Sequence, residues 1–131
     1  MARYLQPNKL ISKVANPLVM RLGAATALAV RGRTTGETRT VPVNVLEHEG
    51  HRYLVAPRGD TQWARNLRAA GRGELRRRGE AEAFVAEEVP AEQRDPIIGA
   101  YRQLWGSQAK KAFETLADPA DHPVFRILPP G

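Results

Sequence analysis

The chain has 131 residues, no cysteine, 42% hydrophobic and 26% charged residues, and a formal net charge of +6. That length holds one domain built on one core, and residues 1–131 are read as a single cofactor-binding unit with a helical N-terminal segment over 1–23. Without cysteine there is no disulfide framework and no Cys-type zinc or iron–sulfur site, and no run of about 18 apolar residues is present to span a membrane. The basic segment Met1–Gly23 lacks an apolar core ending in a cleavage site, so a cytoplasmic protein is expected rather than a secreted one.

In chain order, Asn8–Ala15 reads as a short amphipathic helix carrying Leu10, Ile11 and Val14. Pro17 opens a second short helix with Leu18, Val19 and Leu22, and Gly23 closes it. Thr26–Val30 is a buried strand, followed by the Gly- and Thr-rich connection RGRTTGETR. Thr38–Glu47 reads as one strand, with Val41, Val43 and Val45 on one face. Glu49-Gly50 is a turn and Tyr53–Ala56 the returning strand. Thr61–Ala70 is a short helix with Trp63, Leu67 and Ala70 on one stripe, stopped by Gly71. Gly73–Arg78 and Glu80–Glu87 make a hairpin around Gly79. A helix begins at Pro90 and reaches Leu104 or Trp105, a further helix follows Gly106 to about Leu116, and His122–Leu128 is a closing strand. About six short strands in hairpins point to an α+β fold that is mainly antiparallel, a split β-barrel with flanking short helices.

Charge is concentrated in the middle of the chain. Eleven arginines lie between Arg31 and Arg78, against four lysines in the whole sequence. Arginine suits phosphate or carboxylate because its planar fork binds such anions in a bidentate way. Nucleic acid is disfavoured as the anion: the stretch has no aromatic interleaving, and Glu37, Glu47, Glu49, Asp60 and Glu74 break it up. His48, His51 and His122 form no metal-binding pattern. Neither Ser12 nor Ser107 sits in a nucleophile elbow, and no glycine-rich nucleotide loop is present. Protein groups alone supply little chemistry, so a bound cofactor is the expected agent.

Two constellations can hold one. Gly32–Pro42 joins two strands and sets Arg33, Arg39, several hydroxyls and backbone N–H groups at one rim, the parts of a phosphate site. Gly59–Arg68 contains Thr61, placed to cap a helix whose first amides point outward at an anion. Either is also readable as ordinary structure, a decorated hairpin turn and a helix start.

Together GRTTGETRTVPV, YLVAP, GDTQWARNLRAAG and HPVFRILPP resemble the deazaflavin-dependent nitroreductase (quinone reductase) family from about Asn8 onward. The resemblance implies a split barrel related to flavin-binding proteins and an oxidoreductase that uses coenzyme F-420, with FMN the weaker binder. It implies that Arg33, Thr35, Arg39, Val41 and Pro42 lie near the cofactor's phosphate and tail, and that Trp63, Asn66 and Leu67 frame the deazaflavin. Thr34, Gly36, Arg58 and Gly59 complete the candidate cofactor contacts. The acceptor would be a small organic molecule: a quinone, an activated alkene or a nitro compound.

Two departures bear on that reading. Thr34 stands where many members carry lysine, and KKAFETLADPADHPVF has no tyrosine where nitroreducing members line the substrate site. Tyr101 and Tyr53 are the remaining proton-donor candidates. A lipid- or fatty-acid-binding member of the same fold stays open as an alternative, as does peripheral membrane contact. In that case the side formed by Leu10, Ile11, Val14, Leu18, Val19 and Leu22 would meet lipid instead of packing across the barrel. The oligomeric state is left open.

Overall fold

The computed structural model describes residues 26–130. The expected N-terminal helices and their membrane-facing side lie outside the described residues.

Strands β1 (Thr26–Arg31) and β2 (Thr38–Val43) form an antiparallel hairpin in which Leu28 faces Val41 and Val30 faces Arg39. Strands β3 (Val45–His48) and β4 (His51–Val55) form a second one, closed by Glu49 and Gly50. Both turn residues have positive φ, 52° and 81°, the conformation whose twist matches the flanking strands. Helix α1 (Gln62–Ala70) follows, then the hairpin of β5 (Arg72–Arg77) and β6 (Glu80–Glu88). Helix α2 (Asp95–Thr115) and β7 (Val124–Leu128) complete the order, with 3-10 turns at Ala91–Gln93 and Pro119–Asp121.

All seven strands join one antiparallel sheet in the order β2-β1-β5-β6-β7-β4-β3. The edge strands β2 and β3 are separated in sequence by Asn44 alone. Two peptide steps span at most about 7 Å, so the opposite edges must come together at Asn44 and the sheet must curl into a half-barrel. The sequence predicts about six strands and the described residues form seven, because the expected strand Thr38–Glu47 turns a corner at Asn44 and passes from one edge of the sheet to the other. Val41, Val43 and Val45 nonetheless share a face, and all three pack on the same core cluster.

Strand alternation builds two cores, one on each face of the sheet. Inside the curl, Leu28, Val30, Leu54, Leu75, Phe84, Phe125 and Ile127 pack with Ala64 and Leu67 of α1. On the outer face, Tyr53, Val55 and Val124 pack with Ile97, Ile98, Tyr101 and Phe113 of α2. Burying each Leu or Phe contributes roughly 1.5–3 kcal/mol, so both faces hold the sheet in its curl.

The helix limits differ from the sequence reading where proline chemistry decides them. Pro96 sits in the first turn of α2, where its missing N–H costs no bond. The helix therefore begins at Asp95 rather than Pro90. The expected break falls at Trp105, whose φ of −127° and ψ of 18° kink an otherwise continuous helix. Helix α1 ends as predicted: Gly71 adopts φ 72° and its N–H donates to Leu67 O at 2.8 Å. The closing strand starts at Val124, because His122 is buried ahead of it with Nδ1 3.1 Å from Ala56 O and Nε2 2.5 Å from Leu116 O.

Candidate functional site

A cleft of about 460 Å³ opens between the β1–β2 loop and the N-terminus of α1. Val30, Val41 and Trp63 give it an apolar side; Gly32, Arg33, Thr34, Thr35 and Arg39 form the loop rim; Thr61, Gln62 and Asn66 come from the helix start. Residues of the two predicted constellations thus face one another across the cleft. Among the described residues no aspartate or glutamate lines the cleft.

The loop is shaped by its own backbone. Gly32 N–H donates to Glu37 O at 2.8 Å and Gly36 N–H to Gly32 O at 3.0 Å, while Thr35 Oγ1 accepts from Glu37 N–H at 3.2 Å. Gly36 has φ 79°, which only glycine adopts without strain. A Cβ at Gly32 would come 3.1 Å from Glu37 O, so a side chain there would crowd the tight turn.

Arg33 is the centre of the polar side. Its backbone N–H and its NH1 both donate to Asn66 Oδ1, at 3.1 and 2.7 Å, and its NH2 donates to Gln62 Oε1 at 2.9 Å. Arginine only donates, so both amides must turn their oxygens toward it. Asn66 is buried, and its amide nitrogen has no hydrogen-bond partner among the described residues. Neutral acceptors orient the guanidinium without cancelling its charge. Arg39 likewise has no carboxylate partner among the described residues.

Several carboxylates of the neighbouring strands and helix are committed elsewhere. Asp60 pairs with Arg65 and Arg68, Glu88 with Arg68 and Arg94, Glu74 with Arg76, and Glu82 with Arg52. The hydrogen bond from Arg68 holds the Glu88 carboxyl below its ordinary value. Burial pushes the Asp60 carboxyl up, but Arg68 and Arg65 outweigh it and the net direction is down. Arg94 is buried and also donates to Val89 O at 2.8 Å, Ala120 O at 3.2 Å and His122 O at 3.3 Å. It clamps the chain entering α2 to the chain leaving it. At the cleft rim, Arg33 and Arg39 make no ion pair among the described residues, so both keep their charge there.

The helix start adds unsatisfied donors. Thr61 occupies the cap position, as the sequence predicts, yet its side chain makes no cap hydrogen bond and no acidic residue lies in the first turn of α1. Its Oγ1 is buried without a partner. A buried, unpaired hydroxyl costs about 1–3 kcal/mol, and a ligand's polar group would offset that. The first N–H groups of the helix are also open to an anion.

The predicted site residues divide cleanly. Arg33, Thr34, Thr35, Arg39, Val41, Trp63 and Asn66 line one cleft. Leu67 lies beneath it in the inner core, and Trp63 packs on the same cluster with its ring 6.2 Å from Phe125. Gly36, Pro42, Arg58 and Gly59 do not line the cleft: Gly36 shapes the rim, Pro42 is exposed on edge strand β2, and Arg58 is exposed in the turn after Ala56. Gly59 is buried with φ 98°, and a Cβ there would meet Leu116 Cδ1 at 3.0 Å. Tyr101 and Tyr53 belong to the outer core, with Tyr101 Oη accepting from Asn44 Nδ2 at 3.3 Å. Gln62 and Val30 enter the site without having been singled out; the signal for Gln62 was its place one residue after the helix cap, pointing back at the loop.

A curled antiparallel half-barrel with a basic cleft between a loop and a helix start is suited to holding an anionic ligand. Residues 8–118 match the family described as "F420H(2)-dependent quinone reductase", and the chain belongs to that family. It is an oxidoreductase, and its cofactor is the deazaflavin coenzyme F-420. No curated protein matches the chain. Among solved structures it is similar to an F420-H2 dependent reductase (FDR-A), at 20% identity and a TM-score of 0.57 over 78% of this chain and 91% of that one. An F420 reductase matches at 16% identity and a TM-score of 0.56, over 82% and 87%. The heme storage protein HutZ of Vibrio cholerae matches at 15% identity and a TM-score of 0.58, over 88% and 90%. At these identities the likeness is one of fold.

The residues present fit F-420. The orphaned Thr61 hydroxyl, the open helix N-terminus and the two uncancelled arginines suit a phosphate-bearing group, and the apolar side suits a flat ring. No helix among the described residues is long and apolar enough to cross a membrane.

Proposed function

We propose that F-420 occupies the cleft between the β1–β2 loop and α1, and that the chain uses it to reduce a small organic acceptor such as a quinone, an activated alkene or a nitro compound. The observation that carries this reading is the Arg33 guanidinium, oriented by the amides of Asn66 and Gln62 in a cleft that no carboxylate lines among the described residues. Arg33 and Arg39 would bind phosphate oxygens, Thr61 and the first amides of α1 would satisfy further polar atoms, and Trp63, Val30 and Val41 would cover a ring face and exclude water. Reduced F-420, when bound, supplies a hydride. The protein's part is to fix the acceptor near van der Waals contact, about 3–3.5 Å from the donor carbon, and to admit one proton. With Tyr101 and Tyr53 in the outer core, that proton comes from water or from a rim hydroxyl, Thr34, Thr35 or Thr61. One cofactor-binding domain over residues 1–131, working in the cytoplasm or peripherally on the inner face of the membrane, fits this reading.

The test is a titration of the purified protein with F-420 and with FMN at physiological salt. Micromolar or tighter binding of F-420 and weaker binding of FMN, which offers fewer anionic groups to the arginines, is expected. Equal or tighter binding of FMN would defeat the assignment of the rim to F-420.

A further inference from the structure

Gln62 stands where stability alone would favour an acid. It is the first residue of α1, a position where a carboxylate gains from the helix dipole, and its Oε1 accepts from Arg33 NH2 at 2.9 Å. A glutamate of the same length would make the same contact as a charge-assisted one. The same helix uses that chemistry freely elsewhere. Arg65 and Arg68 are both held by Asp60, and Arg68 also by Glu88 with contacts of 2.7 and 2.9 Å. Arg33, at the cleft, is held instead by two amides.

We infer that Gln62 is a positioning residue that holds Arg33 in place while leaving its charge uncancelled, so that the amide at position 62 sets the cleft's affinity for a phosphate-type anion. This rests on the proposed function and adds to it the determinant of anion strength. Asn66 fixes the guanidinium at its base, through the Arg33 main chain and NH1. Gln62 fixes the outer nitrogen, NH2, and so the direction of the fork. The cleft gives up some stability of α1 to keep a full positive charge where the ligand's anion sits.

The experiment compares the full chain with Gln62→Glu and Gln62→Met. Binding is measured with F-420 and with inorganic phosphate, from low salt to about 1 M, where charges are screened beyond about 3 Å; thermal stability is measured without ligand. Gln62→Glu should melt at or above the wild-type temperature yet bind both probes at least tenfold more weakly at low salt, and that deficit should shrink as salt rises. Gln62→Met keeps the length and loses the acceptor; it should bind several-fold more weakly by a factor that salt changes little. A role in folding alone would move stability and binding in the same direction.

Gln62→Glu binding both probes as tightly as wild type would overturn the inference. So would a wild-type chain that binds neither probe. If the wild type binds phosphate and not F-420, the proposed function fails, and the inference stands or falls on the phosphate ratio of the two chains.

Discussion

Arg33 and Asn66 are joined twice through one oxygen: the main-chain N–H of Arg33 reaches Asn66 Oδ1 at 3.1 Å and its guanidinium reaches the same atom at 2.7 Å. One buried amide therefore fixes both the path of the β1–β2 loop and the direction of its arginine. The loop, otherwise exposed, is tied to a helix whose inner face, Ala64 and Leu67, is anchored in the core.

Asn66→Ala should remove both contacts. A hydrogen bond to a charged group contributes about 1.5–3 kcal/mol, so F-420 affinity should fall at least tenfold, with a lowered melting temperature. Asn66→Asp should keep the loop in place and still weaken F-420, because it places a carboxylate on Arg33. Calorimetry and an F-420 titration of both variants separate the two effects. Asn66→Asp binding as wild type would mean that charge at Arg33 is irrelevant.

Arg39→Ala and Arg52→Ala remove the same charge from two strands of the one sheet, β2 and β4. Arg39 lines the cleft and has no carboxylate partner among the described residues, whereas Arg52 donates to Glu82 at 3.0 Å on the surface. Arg39→Ala should lower F-420 affinity about tenfold or more, on the scale of one charge-assisted contact. Arg52→Ala should change it less than twofold and cost at most about 1 kcal/mol of stability. Equal losses in the two titrations would place the anion outside this cleft.

Much of this was legible in the sequence, for identifiable reasons. The turns at Glu49-Gly50 and Gly79, the stop at Gly71 and the valine face of β2–β3 follow from local chemistry that burial reinforces. The motif residues Arg33, Arg39, Trp63 and Asn66 converge on one cleft because loop and helix start are each short and rigid. The seventh strand was hidden because Asn44 breaks pairing without breaking alternation. Arg94 was hidden because its partners, Val89, Ala120 and His122, are main-chain carbonyls spread along the sequence. Gln62 was hidden because its role depends on Arg33, 29 residues away.

The Asp60–Arg68–Glu88–Arg94 network should make stability fall in acid. Both carboxyls sit below their ordinary values of 3.8 and 4.5 when folded. Their contribution is thus fully present above about pH 5 and is lost as pH falls through the lower folded values. Melting temperature should be level from pH 7 to 5 and drop below that. Glu88→Gln should cost about 1–2 kcal/mol at pH 7, where it leaves buried Arg94 without its carboxylate, and progressively less toward pH 3. A Glu88→Gln deficit that is the same at both ends of that range would contradict the network.

Burial raises the Tyr101 phenol above its ordinary value of 10.0, and the hydrogen bond from Asn44 only partly opposes it. The folded state then keeps this proton longer than the unfolded chain, so stability should decline as pH rises above 10. Tyrosinate absorbance should show a late-titrating group that Tyr101→Phe removes. The same variant should retain the turnover of the F-420 reaction, since Tyr101 lies in the outer core against Trp105 and Phe113. A large loss of turnover in the still-folded variant would return Tyr101 to the list of proton donors.

The central claim is that F-420 sits between the Arg33 loop and the start of α1. Crystals of the protein grown with F-420 test it directly, through the position of the cofactor in the difference density. The account predicts phosphate density within hydrogen-bond distance of the Arg33 guanidinium and the deazaflavin against Trp63. Well-defined F-420 density elsewhere, with this cleft holding only solvent, would contradict it.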